Sequence, residues 1–494
     1  MTNSAAVVGI DVGTSSTKGV LVSLQGAILA SATRQHDVRR PRAGHVEMDA
    51  EVWWEEAVSI VRELLDAAPG DRDVKAVGVS GMGPCVVIAD EGGRPLRAGI
   101  LYGVDTRATR QIARLTDELG GADAIRERSG SALSTQSVGP KLAWLAEHEP
   151  GHWAGARRLF MPSNWLGWRL TGRYYLDQHS ASQCTPMYDA DGMDWYGPWA
   201  ERLRGGIELP PLVWPGDVVG GVTAGAAEQT GLAAGTPVIA GTIDAWSEAV
   251  SVGAHRLGDL MLMYGTTMFL VHTTAVRNGS GVLWGTTGAF PGTRNLAAGM
   301  ATSGAITSWL HDLVGGPGYP RLLEEARESG IGARGLLMLP YFAGERTPIA
   351  DPDARGVIAG LTVEHNRGDL YRAALEATAF GVQHNIEAIE AAGGRIERIV
   401  AVGGGTQGGL WARIVSDVTG RDQVVAEKTI GASYGAAFLA ARAGHPVSIE
   451  DWNPVVETVR PDPPATARYE ELYQLYLELY PATERIAHAL AARA

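Results

Sequence analysis

The segment Ala6-Val7-Val8-Gly9-Ile10-Asp11-Val12-Gly13-Thr14-Ser15-Ser16-Thr17-Lys18 carries the fold decision in this chain. Its first five residues are an almost continuous apolar run, the pattern of a strand buried on both faces, and the run ends on an acid. Residues 13–16 then read as a tight turn, and Gly19-Val20-Leu21-Val22 resumes as a second strand. Glycine lets a backbone approach a polyphosphate, and Thr14, Ser15 and Ser16 add hydroxyl donors. An acid at a strand end, here Asp11, suits a hydrated Mg²⁺, and Lys18 is long enough to reach a terminal phosphate. The same residues also suit an ordinary polar hairpin, so on this segment alone both readings stand.

Outward from it, Gln25-Gly26 supplies a turn before the apolar stretch 27–30. A helix is expected over 51–68, with Asp49 as N-cap and Trp54, Val58, Val61 and Leu65 on one face. Residues 74–79 follow as an apolar strand, giving β-β-β-α-β. A related pattern returns in the second half. Strands are expected at 259–263 and 267–271, parted by Gly265-Thr266, and at 399–402, which runs into Gly403-Gly404-Gly405. Helices read over 410–419 and 433–441. Two similar α/β halves suggest an internal duplication, with a boundary near residue 248 and domains at 1–247 and 248–494. No Gly/Ser/Pro linker marks that boundary.

Composition narrows the function classes. At 494 residues and 52.2 kDa the chain is long enough for two to four domains with sizeable cores. Its 64 glycines and 25 prolines stay below the level of low-complexity chains, so the glycines serve backbone geometry in a folded protein. A net charge of −13 argues against nucleic-acid and anionic-membrane partners. Two cysteines, Cys85 and Cys184, are too few for a disulfide framework or a multi-Cys zinc site. The start Met1-Thr2-Asn3-Ser4 lacks the basic and apolar regions of a signal peptide, and apolar stretches such as 260–271 are too short to span a bilayer. A cytoplasmic protein is expected.

Two further motifs carry chemistry. Gly403-Gly404-Gly405-Thr406-Gln407 lies at a strand end before a helix, where a flat base or a phosphate can approach closely. It equally suits a plain strand-to-helix connection. Asp244 follows the apolar stretch 238–243 directly. A carboxylate there is buried or nearly so, needs a partner or a raised pKa, and makes a good general base for a hydroxyl group. An N-cap for a helix over 245–250 is the competing reading.

At this point the chain resembles the FGGY carbohydrate kinases, members of the two-domain sugar kinase, heat-shock chaperone and actin superfamily. The most specific match is Gly356-Val357-Ile358-Ala359-Gly360-Leu361, followed after seven residues by Asp369-Leu370-Tyr371-Arg372-Ala373-Ala374-Leu375-Glu376. Gly344-Glu345-Arg346-Thr347-Pro348 and Asp351-Pro352-Asp353-Ala354-Arg355-Gly356 match a second stretch of the family. Its amino-terminal signature is partial: Pro140-Lys141-Leu142-Ala143-Trp144-Leu145 fits, but Val138 stands where a small polar residue or proline is usual. The likeness runs in order from Val8 to about Ala441.

The resemblance implies an α/β fold of two ribonuclease H-like (actin-like ATPase) domains, each a mixed sheet flanked by helices, with a cleft between them. It implies a sugar-binding amino-terminal domain over 1–247 with the catalytic Asp and an ATP-binding carboxyl-terminal domain over 248–494. Asp11 matches the family's metal-associated acid, and Gly13, Thr14, Ser15 and Lys18 its phosphate turn. Asp244 matches the base that deprotonates the sugar, Gly265, Thr266 and Thr267 a second phosphate loop, and Gly404, Gly405 and Gln407 the adenosine stretch. A small-residue strip, Ala373, Ala377 and Gly381, is expected on the nucleotide side of a helix over 369–391, or in plain core packing. ATP, Mg²⁺ and a small sugar or polyol are the implied ligands, and a homodimer is compatible with the likeness.

Departures bear on the sugar. Ser80-Gly81-Met82-Gly83-Pro84 stands where xylulokinase-like members carry Gln-Met-His, Ala245 where they carry Asn, and Gly103 where a Trp opens Trp-x-Asp-x-Arg. Met82, Tyr102, Asp105 and Arg107 remain as pocket residues or as ordinary packing. Trp165, Trp168, Trp195 and Trp246 are better placed in core or interface than against sugar. The expected acceptor is a ketopentose such as xylulose or ribulose. The alternatives are a glycerol- or erythritol-type polyol, or a non-catalytic sugar-sensing relative.

Overall fold

The opening apolar run becomes strand β1 (Ala5–Val12), and residues 13–15 return the chain as β2 (Ser16–Ser23), antiparallel to it with Asp11 opposite Lys18. A computed structural model describes residues 5–67, 73–406 and 409–493. β3 (Ile28–Gln35) extends the meander. Helix α1 (Ala50–Ala67) starts where expected, with Asp49 Oδ1 accepting the Glu51 N–H at 3.1 Å. All four expected residues meet the core, Trp54 and Val61 buried and Val58 and Leu65 packed on it half-buried, and the buried stripe widens to Trp53, Ala57, Ile60 and Leu64. The cause is Gly19 on β2: a Cβ there would lie 2.3 Å from Ile60 Cγ2 and 3.2 Å from Leu64 Cδ1, so the missing side chain draws those two residues down.

β4 (Asp73–Gly81) returns parallel to β1, pairing Asp11 with Ser80 and Val12 with Gly81. β5 (Val218–Gly221), β6 (Pro237–Ile239) and β7 (Thr242–Ile243) complete the sheet in the order β5-β6-β4-β1-β2-β3, with β7 on the far end of β4. Thr242 faces Ser80 across that last pairing. The carboxyl ends of three parallel strands therefore meet in register, the place where open α/β sheets build their ligand sites. Helix α2 (Asp244–Ser251) leaves from β7.

The second sheet repeats this path. β8 (Asp259–Tyr264) pairs antiparallel with β9 (Met268–Thr274), and β10 (Arg294–Met300) follows. After the long helix α3 (Arg367–Ala391), β11 (Arg398–Val402) adds parallel to β8 and β12 (Gln423–Ala426) parallel to β11, with α4 (Leu410–Thr419) between them in sequence. The order β10-β9-β8-β11-β12 matches β3-β2-β1-β4-β6 step for step, and β13 (Val455–Val459) closes the edge. This shared topology supports the duplication read from the sequence.

The chain divides into two compact units. Unit 1 runs from the first described residue to His255 and adds residues 285–294 and 430–454; unit 2 holds 256–284, 295–429 and 455–494. The single boundary expected near residue 248 cuts the chain once, whereas unit 1 also takes in helix α5 (Ala432–Arg442) from the second half. Its face of small residues lies on β1 and β4 where those strands have no side chain: a Cβ on Gly9 would sit 2.0 Å from the Ser433 carbonyl oxygen, and one on Gly78 2.1 Å from that of Ala436. Backbone meets backbone there, an approach open only to glycine.

In unit 2, α3 is capped by Asn366, whose side chain accepts from Gly368 and Asp369 while Asp369 returns a bond to the Asn366 N–H. Ala373, Ala377 and Gly381 are all buried, and a Cβ on Gly381 would meet Met300 Cε at 2.4 Å, so this end of the strip packs on β10. The carboxyl-terminal helix α6 (Pro463–Ala491) stacks Tyr473 and Tyr476 against Phe380 of α3. Among the described residues, no helix is long and apolar enough to cross a membrane.

Candidate active site

Three carboxylates gather where β1, β4 and β7 end. Asp11 is the penultimate residue of β1, Asp244 opens α2 directly after β7, and Glu248 follows one helical turn later. Asp11 Oδ1 is buried and has no hydrogen-bond partner among the described residues. Asp244 is not an N-cap: Ile243 holds that position, and Asp244 Oδ1 accepts the N–H of its neighbour Ala245 at 2.8 Å. Burial raises Asp11 well above the ordinary carboxylate range, and the charges of Asp244 and Glu248 raise it further against the Ser80 hydroxyl and Lys18. Burial likewise raises Asp244. Glu248 is pushed up to about 7 by burial and by Asp244. A site that crowds three acids around one exposed lysine, Lys18, and leaves a carboxylate oxygen unpartnered, fits a bound cation.

The turn beside Asp11 is braced from behind. Gly13 N–H donates to the Ser16 carbonyl at 2.9 Å. His36 Nε2 lies 3.0 Å from the Gly13 carbonyl, and its Nδ1 lies 2.9 Å from Glu56 Oε2, which also accepts from Thr17 Oγ1 at 2.6 Å. On the other side Thr14 Oγ1 and the Tyr102 hydroxyl are 2.8 Å apart. Ser15 and Lys18 point outward. The result is a fixed backbone turn that presents the exposed Ser15 and Lys18, a form suited to an anion.

Within unit 2, a cavity of about 890 Å³ brings Gly265, Thr266, Gly404 and Gly405 together. The 265–266 loop is stitched to the start of the helix Gly304–Leu313: Gly265 O accepts from Gly304 N–H at 3.0 Å, and Thr266 O from Ser303 and Ala305. Aromatic and aliphatic walls come from Tyr264, Trp411, Tyr319, Tyr371 and Leu375. Gly405 is forced by those walls, since a Cβ would lie 2.7 Å from Trp411 Cε3, whereas a Cβ at Gly404 would meet no described residue within 4 Å. A flat apolar slot floored by glycine backbone suits a nucleobase. Thr267 is exposed and outside the lining, and Gln407 lies outside the described residues.

The model of the FGGY family of carbohydrate kinases matches in both parts, the N-terminal domain over residues 6–251 and the C-terminal domain over 260–444. The chain belongs to the FGGY family of carbohydrate kinases. It is an ATP-dependent carbohydrate kinase. Xylulose kinase of Escherichia coli K12 is 28% identical over 96% of this chain and 98% of its own length. Glycerol kinase of Methylorubrum extorquens is 32% identical over 89% of each chain. The crystal structure of xylulose kinase from Rhodospirillum rubrum superposes with a TM-score of 0.92, at 30% identity, over 98% of this chain and all of that one.

In the kinase, Met82 is buried beside the strand ends, its N–H bonded to the Val12 carbonyl at 2.7 Å. Asp105 and Arg107 are placed differently. Their side chains are fully buried and pair with each other; Asp105 also accepts the Val46 N–H at 2.6 Å, and Arg107 reaches Glu47 at 2.7 Å and lies over the Trp144 ring. Gly103 leaves room for Gln136, whose Oε1 accepts the Gly103 N–H at 3.0 Å. Trp165 and Trp246 are buried, and Trp168 and Trp195 pack half-buried on core clusters.

Several residues around the site escape a reading of the sequence. Glu248 is recoverable from its spacing, four residues after Asp244 on a helix. His36, Glu56 and Asp177 are not. Asp177 Oδ1 accepts from both the Ser180 N–H and the Thr242 hydroxyl at 3.0 Å, and burial pushes its carboxyl up to about 6.

Proposed function

We propose that this kinase transfers the γ-phosphoryl group of ATP to a hydroxyl of a ketopentose, with xylulose the first candidate. The observation that carries the reading is Asp244 at the end of β7, one pairing across β4 from Asp11. The likeness to xylulose kinases over nearly the whole chain supports the substrate class.

We assign the sugar and phosphoryl chemistry to unit 1 and the nucleoside to unit 2. Asp244 takes the proton of the attacking hydroxyl as its oxygen bonds to the γ-phosphorus and the bond to ADP breaks. Its carboxyl, raised by burial, is poised nearer to neutral pH than a free aspartate, which favours reversible proton uptake. Gly13 lets the phosphates approach the turn, and Thr14, Ser15 and Lys18 offer hydroxyl and ammonium groups to their oxygens, while Gly265, Thr266, Gly404 and Gly405 frame the nucleoside. Asp11 is the residue that would hold Mg²⁺, which when bound supplies charge neutralisation on the phosphates. Tyr102 and Met82 face the sugar; Asp105 and Arg107 fix the 102–107 segment that carries Tyr102. We assign the reaction to the cytoplasm, the compartment that supplies ATP.

A glycerol-type polyol is the second reading. The 32% identity with a glycerol kinase favours it, as do the positions where the segment 80–84, Ala245 and Gly103 depart from the xylulokinase-like pattern. A coupled ADP-release screen over ketoses, aldoses and polyols separates the two. Highest kcat/KM on a ketopentose, abolished in Asp244→Ala with ATP binding retained, is the expected result. Preference for glycerol selects the second reading, and full activity in Asp244→Ala removes Asp244 as the base.

A further inference from the structure

Asp351, Glu484 and His488 come together in unit 2, apart from every residue assigned above. Each offers one ligand atom, and the three atoms lie within 4.8 Å of one another. Glu484 and His488 are one turn apart on α6 and so share a face of that helix. Asp351 ends the loop 344–351, where its backbone is paired with Glu345 in both directions. Its carboxylate is held in place: Oδ1 accepts the Asp353 N–H at 2.8 Å, and Oδ2 accepts the Tyr480 hydroxyl at 2.7 Å and faces His488 Nε2 at 2.7 Å.

A simple ion-pair clamp between loop and helix needs only Asp351 and His488. Glu484 exceeds that need. Its carboxylate lies within reach of both other ligand atoms, and no described residue hydrogen-bonds to it or sits within salt-bridge distance of it. Two carboxylates left facing one imidazole nitrogen lower their mutual repulsion by sharing a divalent cation. The nitrogen ligand discriminates among cations, since Mg²⁺ and Ca²⁺ take all-oxygen shells while imidazole with carboxylate suits Zn²⁺ and its first-row neighbours. All three groups are half-buried, which leaves coordination positions for water.

We propose that Asp351, Glu484 and His488 form a binding site for a divalent transition-metal ion, with Zn²⁺ its best-matched occupant. The ion ties α6 to the loop that carries Glu345, whose Oε1 accepts the Ala301 and Arg346 N–H groups at 2.7 and 2.8 Å. It is a brace within unit 2 and takes no part in phosphoryl transfer.

The test uses tag-free, full-length protein stripped of metal with a chelator and dialysed. Zn²⁺ is titrated by calorimetry and by competition with a chromogenic chelator, with Co²⁺ as the spectroscopic probe. Wild type is expected to bind one equivalent saturably and to melt at a higher temperature with Zn²⁺ than without it. Glu484→Gln and His488→Gln are each expected to weaken binding at least about tenfold and to lose the thermal shift. Glu484→Gln is the decisive variant, because it keeps the Asp351–His488 pair and so separates metal binding from the ion pair. Absence of saturable one-equivalent binding in wild type, or wild-type affinity in either variant, overturns the proposal.

Discussion

Thr242 Oγ1 donates to Asp177 Oδ1 at 3.0 Å, and Asp244 follows Thr242 by two residues. The same oxygen accepts the Ser180 N–H, so one buried carboxylate anchors the short strand from which the proposed base projects. Asp177→Ala leaves two buried donors without their acceptor. The expected loss is about 1–3 kcal/mol in urea unfolding, together with a drop in kcat of about tenfold to a hundredfold from the misplaced base. KM for ATP should stay put, since Asp177 belongs to the sheet end and not to the nucleoside cavity. A folded Asp177→Ala protein with wild-type kcat would show that the anchor does not position Asp244.

The pH profile reports on Asp244 itself. Only the ionised carboxylate takes a proton, and burial holds this group above the ordinary value of about 4. kcat/KM for the sugar should therefore rise with pH along an acid limb displaced upward from that of a free aspartate. The measurement is a rate profile at saturating ATP and Mg²⁺. A limb at the ordinary carboxylate value would mean that a solvated group, not Asp244, controls the step.

What the sequence discloses, and what it hides, follows from where the information lies. β1 and β4 are legible because a strand buried on both faces is a continuous apolar run, and Asp11 and Asp244 because an acid ending such a run is conspicuous. The buried face of α1 is wider than its own periodicity suggests, since Gly19 on a neighbouring strand lets Ile60 and Leu64 sink in beside the expected residues. The assignment of α5 is hidden for a related reason. A face of Ala, Ser and Gly would fit either sheet, and the choice is made by Gly9 and Gly78, remote in sequence. The braces behind the phosphate turn, His36 and Glu56, depend on pairings that exist only once the sheet has formed.

Gly404 and Gly405 make a paired test of the nucleoside cavity. A Cβ at Gly404 meets no described residue within 4 Å, so Gly404→Ala should melt within about 0.5 kcal/mol of wild type. Any rise in KM for ATP in that variant then reports the approach of the nucleotide alone, and a several-fold rise is expected. At Gly405 the added methyl collides with Trp411 and Tyr264, which should cost about 1–3 kcal/mol as overpacking and weaken ATP binding as well. Thermal melts and KM for ATP on both variants decide the matter. An unchanged KM in Gly404→Ala would place the nucleotide elsewhere.

The three-carboxylate cluster predicts how the protein behaves without cations. Asp11, Asp244 and Glu248 all have folded pKa values raised above their unfolded ones. Their contribution to stability is fully present below the unfolded values of about 4, where both states are protonated, and is lost as pH rises through the folded values. Glu248 is pushed up to about 7 and Asp11 to about 8, so the loss extends past neutrality. In chelator, the melting temperature of wild type should fall between about pH 5 and 9. Asp11→Asn removes one of the mutually repelling charges, so its decline should be shallower and its melting temperature above wild type at the alkaline end, while turnover is lost. Mg²⁺ should restore the alkaline stability of wild type but not further stabilise Asp11→Asn, because the acid that would hold the ion is gone. If the two proteins lose stability in parallel and respond alike to Mg²⁺, the repulsion at the strand ends does not govern the pH dependence and Asp11 is not the cation's ligand.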